Sequence, residues 1–411
     1  MAGIPTAGAG AAAWTARGAA IVALCFAINM ADGVDVTILS FIAPRLQAEW
    51  GVGGEVMGRL FSAGLLGMAI GGMLIAPLAD RLGRRRVILA ALALMSVGMV
   101  LSSRAGGPGA LMALRVVVGM GIGTVLAAMA ALAAESAPAA QQHLAVGLVQ
   151  AGYPFAAVFT GLLVAHLLPV HGWQVLLLGA GLLTVVLFPA AWLVLSDPPR
   201  QAAGGDGAGN AAAGIVPGRV GALFAPTFRA RTMALWAAVF FGLMVLYFIV
   251  SWIPKLSIEA GLSETDGIYA GALYNFGAFV GTAGMSLLAL RVPLQRLVPA
   301  MLGAAAVAMM AFGTLHLAVG PTLLLAFTIG VLLQGGYNGV WPLAAAAYPA
   351  GIRATGVGWA IGVGRGGAII GPLLGGALMD AKVSFPVLFA VYCVPLLVCA
   401  GCALAVAKLS R

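Results

Sequence analysis

Charge is what this chain has least of. Of its 411 residues only 8% are Asp, Glu, Lys or Arg, where a soluble globular protein carries about 25%, and 62% are hydrophobic. That composition, with a mean hydropathy of +1.07, excludes a soluble fold and implies a polytopic helical bundle in lipid. Lysine is scarcest, with Lys255, Lys382 and Lys408 set against 18 arginines. The net charge of +9 does not point to nucleic acid, because the basic residues gather at segment ends and form no patch. The four cysteines, Cys25, Cys393, Cys399 and Cys402, sit inside apolar runs without CxxC spacing, which excludes a disulfide framework. His166 and His171 flank one junction and His316 ends a span, and none has metal-ligand spacing. With no P-loop and no Ser-His-Asp arrangement, no metal, no cofactor and no enzymatic chemistry are expected. The opening residues to Ala13 are Ala/Gly-rich and lack a charged n-region, so the first span is expected to act as its own insertion signal.

What the chain has instead is long apolar runs. Windows of about 20 residues, enough to cross roughly 30 Å of hydrocarbon, fall at 18–43, 56–79, 87–104, 109–134, 144–168 and 174–195. Six more follow at 231–254, 266–290, 297–318, 321–346, 356–380 and 384–407. Segments this long and unalternating are helices, since open strands cannot span lipid. The spacing predicts a tail at 1–17, a six-helix half at 18–195, a cytoplasmic linker at 196–230 and a second six-helix half at 231–408. The linker is rich in Gly, Ala and Pro, which makes it flexible, and Val220 to Phe224 is placed along the membrane surface.

Orientation follows from Lys and Arg in the short loops. With both termini in the cytoplasm, 14 basic residues lie inside, while Arg45, Arg104, Lys255 and Lys382 lie outside. Arg59, Arg115 and Arg365 remain within spans. The bias predicts cytoplasmic termini in a multi-pass inner-membrane protein.

Chemistry concentrates in Asn29-Met30-Ala31-Asp32-Gly33-Val34-Asp35, in the middle of the first span. An ionised Asp at a bilayer centre costs roughly 2.5–3.5 kcal/mol on insertion scales, so intramembrane acids are functional by default. Asp32 and Asp35 are the two acids well inside spans. Burial and a second nearby acid both act against the charged form of a carboxyl, so such a pair suits the uptake and release of a proton. On a helix Asn29, Asp32 and Ser40 share one arc, with Asp35 about 60° away, and such a stripe faces water or another helix.

Arg115 and Arg365, one in each half, complement the acids. A guanidinium stays charged and matches a carboxylate bidentately, which suggests an anion held between the halves. Arg115 either pairs with Asp32 or Asp35 or meets the substrate. Arg365, among small residues in Gly362-Val363-Gly364-Arg365-Gly366-Gly367, is either a ligand for the anion or a helix clasp. Arg59, near a span start, is expected to snorkel. Polar aromatics and amides recur where a cavity would be lined: Gln150 and Tyr153, Tyr247 and Trp252, Tyr274 and Asn275. The run Gln334-Gly335-Gly336-Tyr337-Asn338-Gly339-Val340-Trp341-Pro342 places amides, a phenol and an indole beside helix-loosening Gly and Pro, as in broken transporter helices.

The loop Ala76-Pro77-Leu78-Ala79-Asp80-Arg81-Leu82-Gly83-Arg84-Arg85-Arg86 resembles the signature loop of the major facilitator superfamily, Gly-x-Leu-Ala-Asp-Arg-x-Gly-Arg-Arg, with Ala76 for the first Gly. The resemblance implies an all-α fold of twelve transmembrane helices in two pseudo-symmetric halves. It gives Asp80, Arg81 and Arg84 the role of a cytoplasmic latch and groups Glu135 and Arg353 with them as gating residues. Asp32-Gly33-Val34-Asp35 with Pro44-Arg45-Leu46 and Glu49-Trp50 resembles the first span of the aromatic acid/proton symporters. Tyr348 to Pro372 is similar to that group's span 10–11 signature. Two departures stand out: Gln141-Gln142-His143 replaces a basic cluster, and Val34 replaces a frequent Tyr.

The resemblance implies a proton-coupled symporter that imports a small aromatic carboxylate such as a benzoate or hydroxybenzoate. Asp32 and Asp35 would couple protons. Arg115 or Arg365 would hold the carboxylate, and Tyr153, Tyr274, Asn275, Gln334, Tyr337, Asn338 and Trp341 would line the site. The expected partners are protons, the aromatic acid and the bilayer, with the chain a monomer. The alternatives are a drug/proton antiporter, which would carry a Gly-Pro-rich fifth span where this chain has Gly152-Tyr153-Pro154, and a non-transporting sensor on the same fold.

Overall fold

A computed structural model describes residues 14–138, 141–195, 217–315 and 317–409, without the side chains of residues 80, 81, 130, 131, 143, 217–219, 350 and 354. The latch residues Asp80 and Arg81, the first thirteen residues, linker residues 196–216 and His316 therefore lie outside what is described.

The described residues are helical almost throughout. They form α1 (Ala16–Trp50), α2 (Gly54–Ile70), α3 (Leu78–Leu82), α4 (Arg84–Ser102), α5 (Pro108–Ser136) and α6 (Gln142–Val194). After the linker come α7 (Pro217–Leu223), α8 (Arg229–Glu259), α9 (Glu264–Leu288) and α10 (Leu294–Thr314). The chain ends with α11 (Val319–Asn338), α12 (Val340–Ala346), α13 (Ala350–Asp380) and α14 (Phe385–Leu409). A π-helical turn, Gly71–Ile75, extends α2.

Ten of these helices are long and apolar enough to cross a membrane. One of the ten runs 51 residues, and its helix α6 breaks at Gly172, whose φ of 74° belongs to the left-handed region that Gly enters without a Cβ penalty. The break divides α6 into two spans with no loop between them, where the sequence suggested one at 169–173. With α9, a 25-residue helix rich in Gly, each of the twelve predicted windows coincides with a long helical segment. The protein is a multi-pass membrane protein.

Termini are set by local chemistry. Thr15 accepts from the Gly18 N–H at 3.0 Å to start α1, and Ser263 accepts from Asp266 N–H at 3.1 Å to start α9, whose first turn is acidic. Gly51, with φ 61°, closes α1. The first helix therefore runs to Trp50, seven residues past the predicted window, through Pro44.

In lipid the apolar faces gain little from contact, so close backbone approach does the work. α2 packs on α5, and a Cβ on Gly123 would collide with the Met68 carbonyl. α9 packs on α11 in the same way, with Gly281 against the Val331 carbonyl. The second and fourth spans of each half thus share one packing solution. Contacts between the halves run through α2 with α13, α6 with α9, and α1 with α8.

Candidate functional site

α1 brings its two acids to the centre of the bundle by a tight crossing. Gly33 lies against the Tyr153 backbone of α6, with room for no side chain, and Asn29 donates to the Val149 carbonyl at 2.6 Å. Asp32 and Asp35, on either side of Gly33, are each 5% exposed.

Their surroundings differ. Arg115 of α5 donates from Nη1 to Asp35 Oδ1 at 2.5 Å and from Nη2 to Ser102 Oγ at 3.2 Å. Ser102 is fully buried and donates in turn to the Gly98 carbonyl at 2.7 Å. Of the two openings the sequence left for Arg115, this conformation adopts the pairing with Asp35. Asp32 has Oδ1 buried without a hydrogen-bond partner, within electrostatic reach of Asp35 and Arg365. Beside Asp35 and Arg115 lies a cavity of ≈ 30 Å³, also lined by Val36, Phe61, Gly64 and Ser251. That is room for about two water molecules and no ring.

Facing Asp32 from the second half, Arg365 of α13 lies beside the Tyr247 hydroxyl of α8. Tyr247 lies in reach of Asp32, of Tyr153 and of Tyr337, and Tyr153 in reach of Tyr274. The hydroxyls of Tyr274 and Tyr337 are buried without a partner. Two acids, one unengaged by Arg115, one arginine from the opposite half and a group of phenols thus converge between the halves. This arrangement offers a protonatable carboxyl, a cation for an anion and rings to pack a ring.

Not every predicted lining residue joins this group. The Gly/Pro run suggested a broken helix here, but Gly339 between α11 and α12 keeps right-handed helical angles (φ −68°, ψ −13°), so the two run on as one span over Val319–Ala346. Gln334 donates to Asn338 at 3.3 Å and Asn338 to Thr282 of α9 at 2.7 Å, so their hydrogen bonds serve the α9–α11 contact. Asn275 donates to Gly271 O of its own helix at 2.9 Å. Trp341 packs edge-on against Tyr337. Arg59 is exposed and pairs with Glu55 on the same helix. Of the predicted gating residues, Arg84 pairs with Glu135, and Arg353 donates from Nε to the Tyr348 carbonyl at 3.3 Å. Ser102 and Ser251 carried no sequence signal, since single serines are common in spans.

The interface between the halves is closed at one end. Ser40 donates to the Val250 and Ser251 carbonyls at 2.9 and 2.8 Å, and Ser62 to Ile369 O at 2.6 Å. Arg45 forks onto Glu264 at 3.2 and 2.8 Å, and Phe61 meets Trp252 edge-on. All of these lie where α1 finishes and α2 begins. At the opposite end of α2, Met73, Leu74, Leu78 and Leu82 stay exposed.

Comparison with known proteins matches this frame. The family model of the Major Facilitator Superfamily matches residues 24–360. A gallate transporter of Pseudomonas putida is 32% identical, over 91% of this chain and 88% of its own. The 4-hydroxybenzoate transporter PcaK of Pseudomonas aeruginosa is 31% identical, over 89% and 87%. Among solved structures, a D-xylose-proton symporter superposes with a TM-score of 0.74 at 15% identity, covering 93% of this chain and 96% of that one. A bacterial homolog to the human lysosomal transporter Spinster, inward-facing and unoccupied, gives 0.72 at 17% identity, over 97% and 96%.

Proposed function

The chain belongs to the Major Facilitator Superfamily and, within it, to the aromatic acid/proton symporters, and on that premise we propose that it imports a small aromatic carboxylate together with protons. The observation that carries the reading is the division of labour in the buried pair. Asp35 has its charge met by Arg115, while Asp32 has a bare oxygen that is free to exchange a proton.

Arg365 takes the substrate carboxylate, since it is the half-buried guanidinium beside Asp32 that is left to an anion once Arg115 is committed to Asp35. Tyr247, Tyr153, Tyr274 and Tyr337 pack the ring, and the hydroxyls of Tyr274 and Tyr337 receive ring substituents. The gallate and 4-hydroxybenzoate specificities of the relatives support a hydroxylated benzoate. The water-sized cavity beside Asp35 serves the proton, and the ring lies on the Arg365 side.

With both termini cytoplasmic, as the basic residues indicate, the closed end of the interface is the outer one and the conformation faces inward. The cycle runs by rocking of the halves about this midplane site. Protonation at the Asp32/Asp35 site, treated as one coupled unit, neutralises the loaded cavity and lets it turn inward. Release to the cytoplasm frees the acid first from Arg365 and then the proton from Asp32.

Uptake of labelled benzoate, 4-hydroxybenzoate and gallate into proteoliposomes, with and without an inward proton gradient, tests the proposal. Accumulation of one acid that needs the gradient supports it. Absence of any accumulation, with proton-driven extrusion of cationic dyes, replaces it with a drug antiporter.

A further inference from the structure

The most specific contact across the closed end involves a residue that the transport chemistry does not use. Asp380, the last residue of α13, accepts from the backbone N–H of Gly54 at 2.6 Å and of Glu55 at 2.8 Å, the first two residues of α2. A carboxylate that accepts these orphan donors and sits at the positive end of the helix dipole is an N-cap. Here it is supplied by the other half of the protein. α2 has no cap of its own, because residue 53, where a Ser or Asp would stand, is Gly.

Two further features hold this geometry. A Cβ at Gly53 would lie 2.5 to 2.8 Å from the Asp380 carboxylate, and one at Gly376 would strike the Gly54 carbonyl. The glycines therefore make the space in which the carboxylate seats. Immediately beyond, Lys382 holds φ 53°, the one non-Gly residue of positive φ among those described, and turns the chain so that α13 stops at Asp380.

We propose that Asp380 and the N-terminus of α2 form the outer latch, an intramolecular cap made when the protein faces inward and broken each time it opens outward. The cap sets the ratio of inward- to outward-facing protein and hence the ease with which substrate enters from outside. This inference rests on the orientation and alternating-access reading above, but not on the identity of the substrate.

The test is a distance measurement by double electron–electron resonance. Spin labels are placed at Ala48→Cys on the end of α1 and Ser384→Cys beyond α13, both exposed and on opposite sides of the closed end, after replacing the native cysteines with alanine. Asp380→Ala removes both acceptors. Gly53→Ala displaces the carboxylate from the other side and leaves Asp380 in place. Both are expected to raise the ratio of long to short distances by roughly threefold to thirtyfold, the equivalent of losing an N-cap, with Asp380→Asn in between because it keeps one acceptor. Unchanged distances in Asp380→Ala and Gly53→Ala, in protein that stays monodisperse, would overturn the latch. If Asp380→Ala fails to fold, Gly53→Ala decides alone. A distance shift in the variants, together with wild-type protein that accumulates no aromatic acid, sinks the transport reading and leaves the latch. Gradient-driven accumulation with no shift does the reverse.

Discussion

Asp35 and Arg115 form a buried ion pair at 2.5 Å, with side chains 7% and 2% exposed, while Asp32 three residues away has no such partner. The pair ties α1 to α5 within one half. The arginine of the other half, Arg365, lies in electrostatic reach of Asp32.

Breaking the pair from one side strands a buried charge. Arg115→Met is expected to destabilise the detergent-solubilised protein by about 3–5 kcal/mol, and Asp35→Asn by less because an amide still accepts from Arg115. The double variant Asp35→Asn/Arg115→Gln should recover most of the lost stability, read as a thermal unfolding midpoint. Equal destabilisation by the double variant and by Arg115→Met contradicts the pairing.

Arg365 is expected to set substrate affinity. Arg365→Ala should raise KM by roughly 30-fold or more, as loss of a charge-assisted contact of about 2 kcal/mol implies, and Arg365→Lys should not restore it because the fork is lost. Tyr247→Phe, which removes the hydroxyl beside Arg365, should raise KM by roughly two- to twelvefold if that hydroxyl orients the guanidinium through one hydrogen bond. A KM unaffected by Arg365→Ala would make Arg365 a helix clasp.

The long apolar windows were legible because lipid leaves helices as the one economical way through, and the acids at 32 and 35 stood out because charge inside a span is rare. What could not be read was partnership. Nothing in the sequence says that Arg115 meets Asp35 and not Asp32, since that depends on how α5 is rotated against α1. Nor does it say that Gln334 and Asn338 spend their hydrogen bonds on Thr282 of α9. The extension of α1 to Trp50 was hidden for a related reason. Arg45 and Glu49 lower the local hydropathy, yet Arg45 is held by Glu264 and Glu49 accepts from Trp173 Nε1 at 2.6 Å.

Close helix crossings should be sensitive to one added side chain. Gly123→Val and Gly281→Val each drive atoms into a facing carbonyl and are expected to cost about 1–3 kcal/mol or to prevent folding. Gly303→Ala, where nothing lies within 4 Å of the added carbon, should be neutral or stabilising. Comparable losses at all three positions would contradict the account of packing.

The central claim is that Asp32 couples the proton to the substrate, and it is tested most directly by comparing two modes of transport in one variant. Asp32→Asn, in proteoliposomes, is expected to exchange labelled for unlabelled aromatic acid across the membrane without any gradient, because Arg365 and the alternating halves are intact. The same vesicles should fail to accumulate the acid when a proton gradient is imposed. Accumulation by Asp32→Asn at the wild-type level would contradict the account.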